Sequence, residues 1–352
     1  MVKKIIYLTY TRPDYSLNAV FLKGLRQNGV EVADLYVYNK GISGFRKALS
    51  FYRQNSKDTD AVIIGYDSPA LAIFIKPFCR KKIIYNAVLS VYERLVISRK
   101  LVSWFSVKAI YYWLLDFLAV NFVDLSVIES DHQAEFFKKL FKVPRNKVFR
   151  NWIGVDEDKF FYDSTINKPD KFTVLFRGAL QMETGVEYVV RAAKLLEEED
   201  IKFIMHVGGQ LVGKMKNLIE GLRPNNLEFS SDLLPSEELR KLMGKCHVSL
   251  GQLSEHERLK RTIPHKAYES LIMRLPYLTA SNTGILELLT AGETCIACKP
   301  ADAESLAEKI LWAKNHPQKL EKIAENGYEF YQKELTSRIL AKNLIDKIDL
   351  LP

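Results

Sequence analysis

The densest group of side chains able to do chemistry lies between Arg258 and Glu269. Pro264 stands where a helix would begin, since proline is favoured in the first helical turn. Lys266 then falls in that turn, and Glu269 follows close to the same face. A cation beside a helix N-terminus suits a diphosphate, and a carboxylate one turn deeper can accept hydrogen bonds from a sugar diol. An ordinary surface ion pair has the same spacing.

Two nucleotide-binding motifs are absent or incomplete. The three-glycine dinucleotide fingerprint does not occur, which argues against a nicotinamide dehydrogenase. The glycines and lysine of Gly208–Lys214 have the spacing of a P-loop. The next residue is Met215, where that motif requires a hydroxyl for magnesium. We therefore interpret this segment as a glycine-rich turn between a strand and a helix.

No metal centre is predicted. Asp58 with Asp60 and Asp156 with Asp158 have two-carboxylate spacing, but the first pair precedes a strand and the second is expected in an exposed turn. The C-x-x-C of Cys295 lacks a second ligand pair, and its surroundings do not fit a redox site. Four scattered cysteines are typical of a reducing cytosol.

Charge is distributed unevenly along the 352 residues. Residues 1–160 hold 25 basic and 15 acidic side chains, a net charge of +10, whereas the remainder holds 26 and 27, a net charge of −1. A basic half indicates an anionic partner such as a headgroup, a phosphorylated substrate or a nucleic acid, unless it is merely a solvated lysine-rich face. We expect no nucleic-acid partner.

Short apolar runs alternate with longer amphipathic segments, a pattern that favours parallel sheets covered by helices. The first ten residues predict a strand rather than a secretion signal. The predicted strands of a first sheet are Ile5–Thr9, Val32–Tyr38, Ala61–Tyr66, Lys82–Asn86, Leu125–Glu129 and Lys147–Asn151. Those of a second are Thr173–Arg177, Lys202–Val207, Leu227–Ser230, His247–Gly251, Tyr277–Ala280 and Thr294–Ala297.

This pattern predicts an α/β protein with two Rossmann-like, doubly wound domains. We expect domains at residues 1–160 and 161–330, with a cleft between them that holds the ligand. Residues 303–351 predict nearly continuous helix broken at Pro317, and the last part, residues 331–352, is expected to pack back toward the first domain.

The segment from Arg261 to Gly284 resembles the donor-site region of the retaining glycosyltransferases of the GT-B fold, in particular the large family 4. Members carry two glutamates separated by seven residues, then an apolar helix, a strand preceded by proline and a glycine-containing loop. Phe176–Leu180 resembles the start of the second domain of that family, and Asn151–Asp156 the end of the first. The resemblance covers nearly the whole chain and implies the GT-B arrangement of two facing domains.

The resemblance also implies site residues. Residues expected at the nucleotide-sugar donor are Arg177, Gly178, Lys266, Glu269, Thr283 and Gly284, with Glu269 at the ribose. Arg261 replaces the first glutamate of the family, and Ala179 and Thr184 stand where relatives carry Arg and Lys. We therefore expect Arg261 and Lys266, with Arg177, to stabilise the leaving diphosphate without a metal ion or other cofactor.

In the first domain, Asn86 falls where relatives place a His or Asp near the transferred sugar, so it is a third catalytic candidate beside Arg261 and Lys266. The residues expected on the acceptor side are Arg12, Ser90, Tyr92 and Arg99. The acceptor is expected to be a glycan or a lipid-linked molecule.

The segment from Ile97 to Trp113 mixes basic and aromatic residues, which favours a membrane interface, although the aromatics could equally pack a core. No stretch is long enough and apolar enough to span a bilayer. We expect a cytoplasmic protein whose basic first domain contacts an anionic membrane peripherally.

The sequence thus predicts a metal-independent glycosyltransferase that moves a sugar from a nucleotide diphosphate to an acceptor hydroxyl in lipid-linked or cell-surface glycan synthesis. Two alternatives stay open. A nucleotide-sugar epimerase has the same architecture and needs no acceptor. The substitutions at Arg261, Ala179 and Thr184 would also fit a non-catalytic partner subunit.

Overall fold

The computed structural model describes residues 2–209, 211–232 and 234–352. These residues form two compact units. The first runs from the N-terminus to Asp156 and includes Glu334–Pro352, and the second is Glu157–Lys333. The first unit therefore ends at 156 where the sequence pattern suggested 160, and the chain returns to it at 334 where the pattern suggested 331.

The first unit is a parallel sheet with helices on its faces. Its strands are β1 (Lys4–Thr9), β2 (Glu31–Tyr36), β3 (Ala61–Ile64), β4 (Lys82–Asn86), β5 (Leu125–Ile128) and β6 (Val148–Arg150). Its helices up to the domain boundary are α1 (Ser16–Gln27), α2 (Ile42–Asn55), α3 (Pro69–Ile75), α4 (Val107–Phe122) and α5 (Asp131–Phe141).

The second unit repeats this architecture. Its strands are β7 (Phe172–Ala179), β8 (Ile201–Gly208), β9 (Leu227–Ser230), β10 (Val248–Leu250), β11 (Tyr277–Ala280) and β12 (Ile296–Cys298). Its helices are α6 (Val186–Leu195), α7 (Val212–Leu222), α8 (Ser236–Gly244), α9 (His265–Ile272), α10 (Thr283–Leu286), α11 (Ala303–Asn315) and α12 (Pro317–Glu334).

Strand order determines where each sheet can bind a ligand. The orders are β2-β1-β3-β4-β5-β6 and β12-β11-β10-β7-β8-β9, and the pairs in both are parallel. In the first sheet the order reverses between β1 and β3, and in the second between β7 and β10. Ligands of doubly wound sheets bind beyond the carboxyl ends of the strands at these reversals.

The predicted α/β class and all twelve predicted strands are confirmed, with ends displaced by no more than two residues. Apolar runs predicted them well because strands covered on both faces lose alternation and become continuously hydrophobic. β3, for example, is buried at all four positions.

The C-terminal part of the chain departs from the predicted pattern. Besides the break before Pro317, the helix breaks again after α12, and Thr336 caps a final helix, α13 (Ser337–Asp349), by accepting a hydrogen bond from the Ile339 backbone N–H at 3.4 Å. Helix α13 packs against α1 so closely that a Cβ on Gly24 would overlap the Ser337 carbonyl. The last helix therefore belongs to the core of the first unit.

Candidate functional site

The reversal point of the second sheet carries Arg177 and Gly178 at the carboxyl end of β7. Arg177 is 2% exposed. Gly178 has a φ of +103°, a conformation that favours glycine, and a Cβ there would lie 3.3 Å from Cε of Lys266. The absence of a side chain at residue 178 therefore avoids backbone strain at this turn and a tight contact with the lysine stem.

Helix α9 brings Lys266 to the same place. The helix begins at His265, directly after Pro264, as the sequence predicts. The Lys266 ammonium lies 4.0 Å from the centre of the Phe176 ring, a cation–π contact. It is shielded from solvent, and no hydrogen-bond acceptor for it occurs among the residues that the structure describes. The structure thus holds an ammonium group with no acceptor beside a helix N-terminus.

Glu269 is held by two neighbours. Its Oε2 lies 3.0 Å from Nη2 of Arg177, and its Oε1 lies 3.0 Å from Nδ1 of His265. Arg177 also donates weakly to the Lys266 carbonyl at 3.4 Å and to Ser270 Oγ at 3.5 Å. The Arg177 guanidinium therefore orients the helix and the carboxylate, and its own charge is balanced by Glu269.

Burial and neighbouring charge set the protonation of this cluster. Burial, reinforced by the positive charge of Arg177 and only partly opposed by Glu269, lowers the pKa of Lys266 to about 7. Burial alone would raise the pKa of Glu269, but the Arg177 charge and the His265 contact outweigh it and leave that pKa below its usual value. At neutral pH Glu269 is ionised, and Lys266 is poised between its two forms.

Arg261, Thr283 and Gly284 form a second group. Arg261 Nη1 donates to the Glu257 carbonyl at 3.1 Å, and Thr283 Oγ1 donates to the Lys260 carbonyl at 2.7 Å. A Cβ on Gly284 would lie 2.6 Å from the Leu259 carbonyl oxygen, so the start of α10 packs tightly on this turn.

A buried ion pair supports the loop after β7. Arg258 Nη1 lies 3.2 Å from Oε1 of Glu183, and both side chains are largely buried. The Thr184 hydroxyl donates to the Gln181 carbonyl at 2.7 Å, so it closes the turn between β7 and α6. These side chains hold the two loops flanking the reversal point together.

In the first unit, Arg12 follows β1 at that sheet's reversal point. Its side chain is 71% exposed and pairs with Asp14 at 2.5 Å. The loop is anchored by Asn18, which donates to the Arg12 carbonyl at 3.2 Å and accepts from the Tyr7 hydroxyl at 2.9 Å and the Tyr66 backbone N–H at 3.0 Å. Asn18 is a positioning residue that the sequence analysis missed, because a lone asparagine inside a helix carries no local signal.

Asn86 and Ser90 are buried in the first unit. Asn86 donates to the Leu17 carbonyl at 3.2 Å. Ser90 Oγ donates to Asp116 Oδ2 at 2.6 Å and accepts from the Glu93 backbone N–H at 2.9 Å, so its hydroxyl is already used to shape the loop after β4. Ser90 therefore shapes this loop, and any contribution that it makes on the acceptor side is indirect.

Tyr92 and Arg99 are half-buried, at either end of a π-helical turn that spans Glu93–Ser98. The Tyr92 backbone N–H donates to Asp116 at 2.8 Å. Burial raises the pKa of Asp116 to about 6, although the hydrogen bonds from Ser90 and Tyr92 oppose this. Sequence reasoning missed Asp116 because its partner lies 26 residues away.

The segments set aside in the sequence analysis have structural roles. In Gly208–Lys214, Gln210 lies outside the described residues, while Gly209 makes a turn with a φ of +104° and Lys214 is exposed in α7. Asp60 accepts hydrogen bonds from the backbone of Lys3 and Lys4. The exposed position expected for Asp156 is wrong, because this residue is 7% exposed. No group of three metal-ligating side chains occurs within the described ranges.

Solved structures share this architecture over nearly the whole chain. The Anabaena protein Alr3699/HepE, solved in complex with UDP, superposes with a TM-score of 0.72 at 14% identity and covers 98% of this chain and 99% of that one. Sucrose-phosphate synthase from Thermosynechococcus elongatus superposes with a TM-score of 0.74 at 13% identity, over 98% of both chains. The fold is GT-B.

Sequence comparison gives a family match for the second unit. Residues 158–330 match the family model described as glycosyl transferases group 1. A curated relative, the putative colanic acid biosynthesis glycosyltransferase WcaL of Escherichia coli (strain K12), is 20% identical over 234 residues. That match covers 65% of this chain and only 57% of the relative.

Proposed function

We propose that the protein is a glycosyltransferase that moves a sugar from a nucleotide-diphosphate sugar to an acceptor hydroxyl. The family of residues 158–330 and the GT-B fold support this proposal. Binding of UDP by the Anabaena structure supports a uridine nucleotide as the first donor to test.

The observation that carries the proposal is the Lys266 ammonium. Arg177 and Glu269 neutralise each other at 3.0 Å, so a protonated Lys266 adds a positive charge that no carboxylate directly contacts. It lies in the first turn of α9, where the helix dipole also favours an anion, and beside the strand end that doubly wound sheets use for ligands. A diphosphate supplies the missing acceptor.

The chemistry then follows from charge. Transfer breaks the bond between sugar C1 and a phosphate oxygen and forms a bond from C1 to the acceptor oxygen. Negative charge grows on the departing diphosphate, and Lys266 stabilises it by turning on its flexible stem from the Phe176 ring to the phosphate. In a retaining reaction the departing phosphate oxygen accepts the proton of the acceptor hydroxyl. This role requires no metal ion.

Glu269 is the residue that recognises the nucleoside. Each of its carboxylate oxygens makes one contact, to Arg177 or to His265. A carboxylate oxygen can accept two hydrogen bonds, so both remain able to accept from the two hydroxyls of a ribose. Arg177 and His265 act as positioning residues for this carboxylate.

Acceptor binding is proposed for the first unit, because residues 1–160, which contain that unit up to Asp156, hold a net charge of +10. Arg12 is the most accessible of the candidates there. A glycan or a lipid-linked acceptor fits this proposal. The four free cysteines accord with a reducing, cytoplasmic setting.

Thermal unfolding with nucleotides tests the proposal. UDP, GDP, ADP and ATP would each be added with magnesium and with EDTA. A ligand at about 100 times its dissociation constant stabilises by about 2.7 kcal/mol. We expect one diphosphate to stabilise the protein in EDTA, and both Lys266→Met and Glu269→Gln to abolish the effect.

Lys214→Met is the matched control, because Lys214 also lies in the first turn of a helix but is exposed. It should respond to the diphosphate like the natural chain. Stabilisation by ATP with magnesium alone, lost in Lys214→Met, would instead support a P-loop. No response to any nucleotide would refute the donor site and favour a non-catalytic subunit. With the active donor, the anomeric configuration of the product by NMR tests retention.

A further inference from the structure

Helix α4 of the first unit is apolar on both faces. The apolar side chains of its inner face, Ala109, Ala119 and Val120, are buried. The opposite face consists of side chains at helical spacing that are nevertheless exposed: Val107 (82%), Ile110 (63%), Tyr111 (58%) and Leu114 (44%). A helix that is hydrophobic all round normally has all of its surface covered. On α4, four apolar side chains of one face are exposed instead.

The loop before α4 extends this surface. Leu101, Trp104 and Phe105 are 52%, 68% and 78% exposed, and the rings of Trp104 and Phe105 lie 3.7 Å apart. The loop is held in place, because the Leu101 backbone N–H donates to the Leu95 carbonyl at 2.9 Å and Ser106 caps α4 by accepting from the Ala109 N–H at 3.2 Å. We call these three side chains and the exposed face of α4 the outer face.

The charges of the outer face have one sign. Lys100 and Lys108 are exposed directly next to Leu101 and Val107 of this face. The only acidic residue from Arg94 to Val123 is Asp116, and it is buried on the inner side. Apolar side chains, an exposed Trp and Tyr, and lysines without acids are the composition of segments that lie in the interface of a bilayer with anionic headgroups. No helix in the described part of the chain is long and apolar enough to cross a membrane.

We propose that the outer face binds the surface of an anionic lipid bilayer, with α4 lying in the plane of the interface and Trp104 and Phe105 inserted among the lipids. A second copy of the chain fits this surface less well. In a symmetric dimer the same patch faces itself, so residues 94–123 of the second copy would offer Lys100 and Lys108 no exposed acid to pair with. The proposal needs no part of the donor site.

Vesicle flotation tests the proposal. The full chain would be floated with phosphatidylcholine vesicles and with vesicles that also contain about 30% phosphatidylglycerol. We expect binding to the anionic vesicles. Trp104→Glu/Phe105→Glu should weaken it at least tenfold, since burial of each aromatic corresponds to about tenfold or more. Lys100→Gln/Lys108→Gln should weaken it several-fold, and only with the anionic lipid.

The matched control is Tyr38→Glu/Ile42→Glu. These two side chains are 77% and 73% exposed in the same unit but lie outside the outer face, and the change in charge is the same. This control should bind like the natural chain. Equal loss in both double variants would overturn the proposal, because it would show a dependence on net charge alone.

Two further measurements keep the proposal falsifiable if the glutamate variants fold poorly. Anionic vesicles should shift tryptophan emission of the natural chain to shorter wavelength, and Trp104→Phe should still bind without that shift. Light scattering measures the oligomeric state. A dimer that Trp104→Glu/Phe105→Glu dissociates, together with absence of vesicle binding, would overturn the proposal in favour of a second copy. Stabilisation of the protein by nucleotides is measured independently of vesicle binding. Failure of the membrane proposal would therefore not count against the donor site.

Discussion

Binding of a nucleotide sugar should weaken as the pH rises above 7, because the proposed contact between the diphosphate and Lys266 requires the charged form of the lysine. Burial and the neighbouring Arg177 lower the pKa of this lysine to about 7. A diphosphate placed beside the ammonium favours the charged form and raises that pKa again. Ligand binding is therefore coupled to uptake of one proton.

The size of the effect follows from the pKa. With a pKa of about 7, roughly half of the free protein carries the ammonium at pH 7, about a tenth at pH 8 and about a hundredth at pH 9. The apparent dissociation constant should rise by the same factors, about fivefold from pH 7 to 8 and about tenfold from pH 8 to 9. Glu269 stays ionised throughout because its pKa is lowered.

Isothermal titration with UDP-glucose measures this dependence. A nucleotide sugar is preferred to UDP, whose terminal phosphate titrates with a pKa of about 6 and would complicate the pH dependence. Measured in two buffers of different ionisation enthalpy, the titration also counts the protons taken up. Lys266→Met should bind UDP-glucose weakly, with a dissociation constant that does not change with pH. Lys214→Met should show the same pH dependence of the dissociation constant as the natural chain.

The free energy of unfolding provides an independent check. Since the folded pKa of Lys266 lies below the ordinary 10.5, the unfolded chain binds more protons between about pH 7 and 10.5, and this group's contribution to stability rises with pH across that window. Lys266→Met should therefore raise the free energy of unfolding above that of the natural chain, and by the largest amount, on the order of 2 kcal/mol, at or below pH 7. A pH-independent dissociation constant in the natural chain, or the same slope in Lys266→Met, would refute this role of the lysine.

Three further substitutions test other parts of the structure. Gly178→Ala places a Cβ at 3.3 Å from the lysine stem on a φ of +103° and should reduce both UDP-glucose affinity and stability, the latter by about 1–2 kcal/mol, whereas Gly213→Ala, which meets only open space in α7, should be neutral or stabilising in the same melts. Asp116→Asn should add about 1–2 kcal/mol at pH 7.5 and little at about pH 3.5 in urea unfolding, because the raised pKa means that the natural carboxyl loses stability as the pH rises from 3.8 to about 6; an equal effect at both values would contradict that reason. Gly24→Ala should cost about 2–3 kcal/mol by forcing α13 from α1, and calorimetry that shows an unchanged melting temperature would contradict the packing described for Ser337.

Local sequence predicts where a site lies better than it predicts the contacts that the site residues make. Pro264 and the spacing of Lys266 and Glu269 predict the start of α9 and a cation beside it, and the structure places them so. The contacts that give the site its properties are long-range. Arg177 reaches Glu269 across 92 residues of chain, and the Phe176 ring that shields the ammonium comes from the same distant strand.

The sequence by itself determined the two α/β units and their strands, because a parallel strand buried on both faces is a run of consecutive apolar residues. The mixture of basic and aromatic residues between Ile97 and Trp113 was likewise visible in the sequence as a candidate membrane-binding segment. Only the tertiary structure decided that the face of α4 with Ile110 and Tyr111 stays exposed while Asp116 turns inward, and that α13 returns to the first unit. Periodicity reports that a residue is apolar, but whether it is covered depends on which elements distant in the chain pack against it.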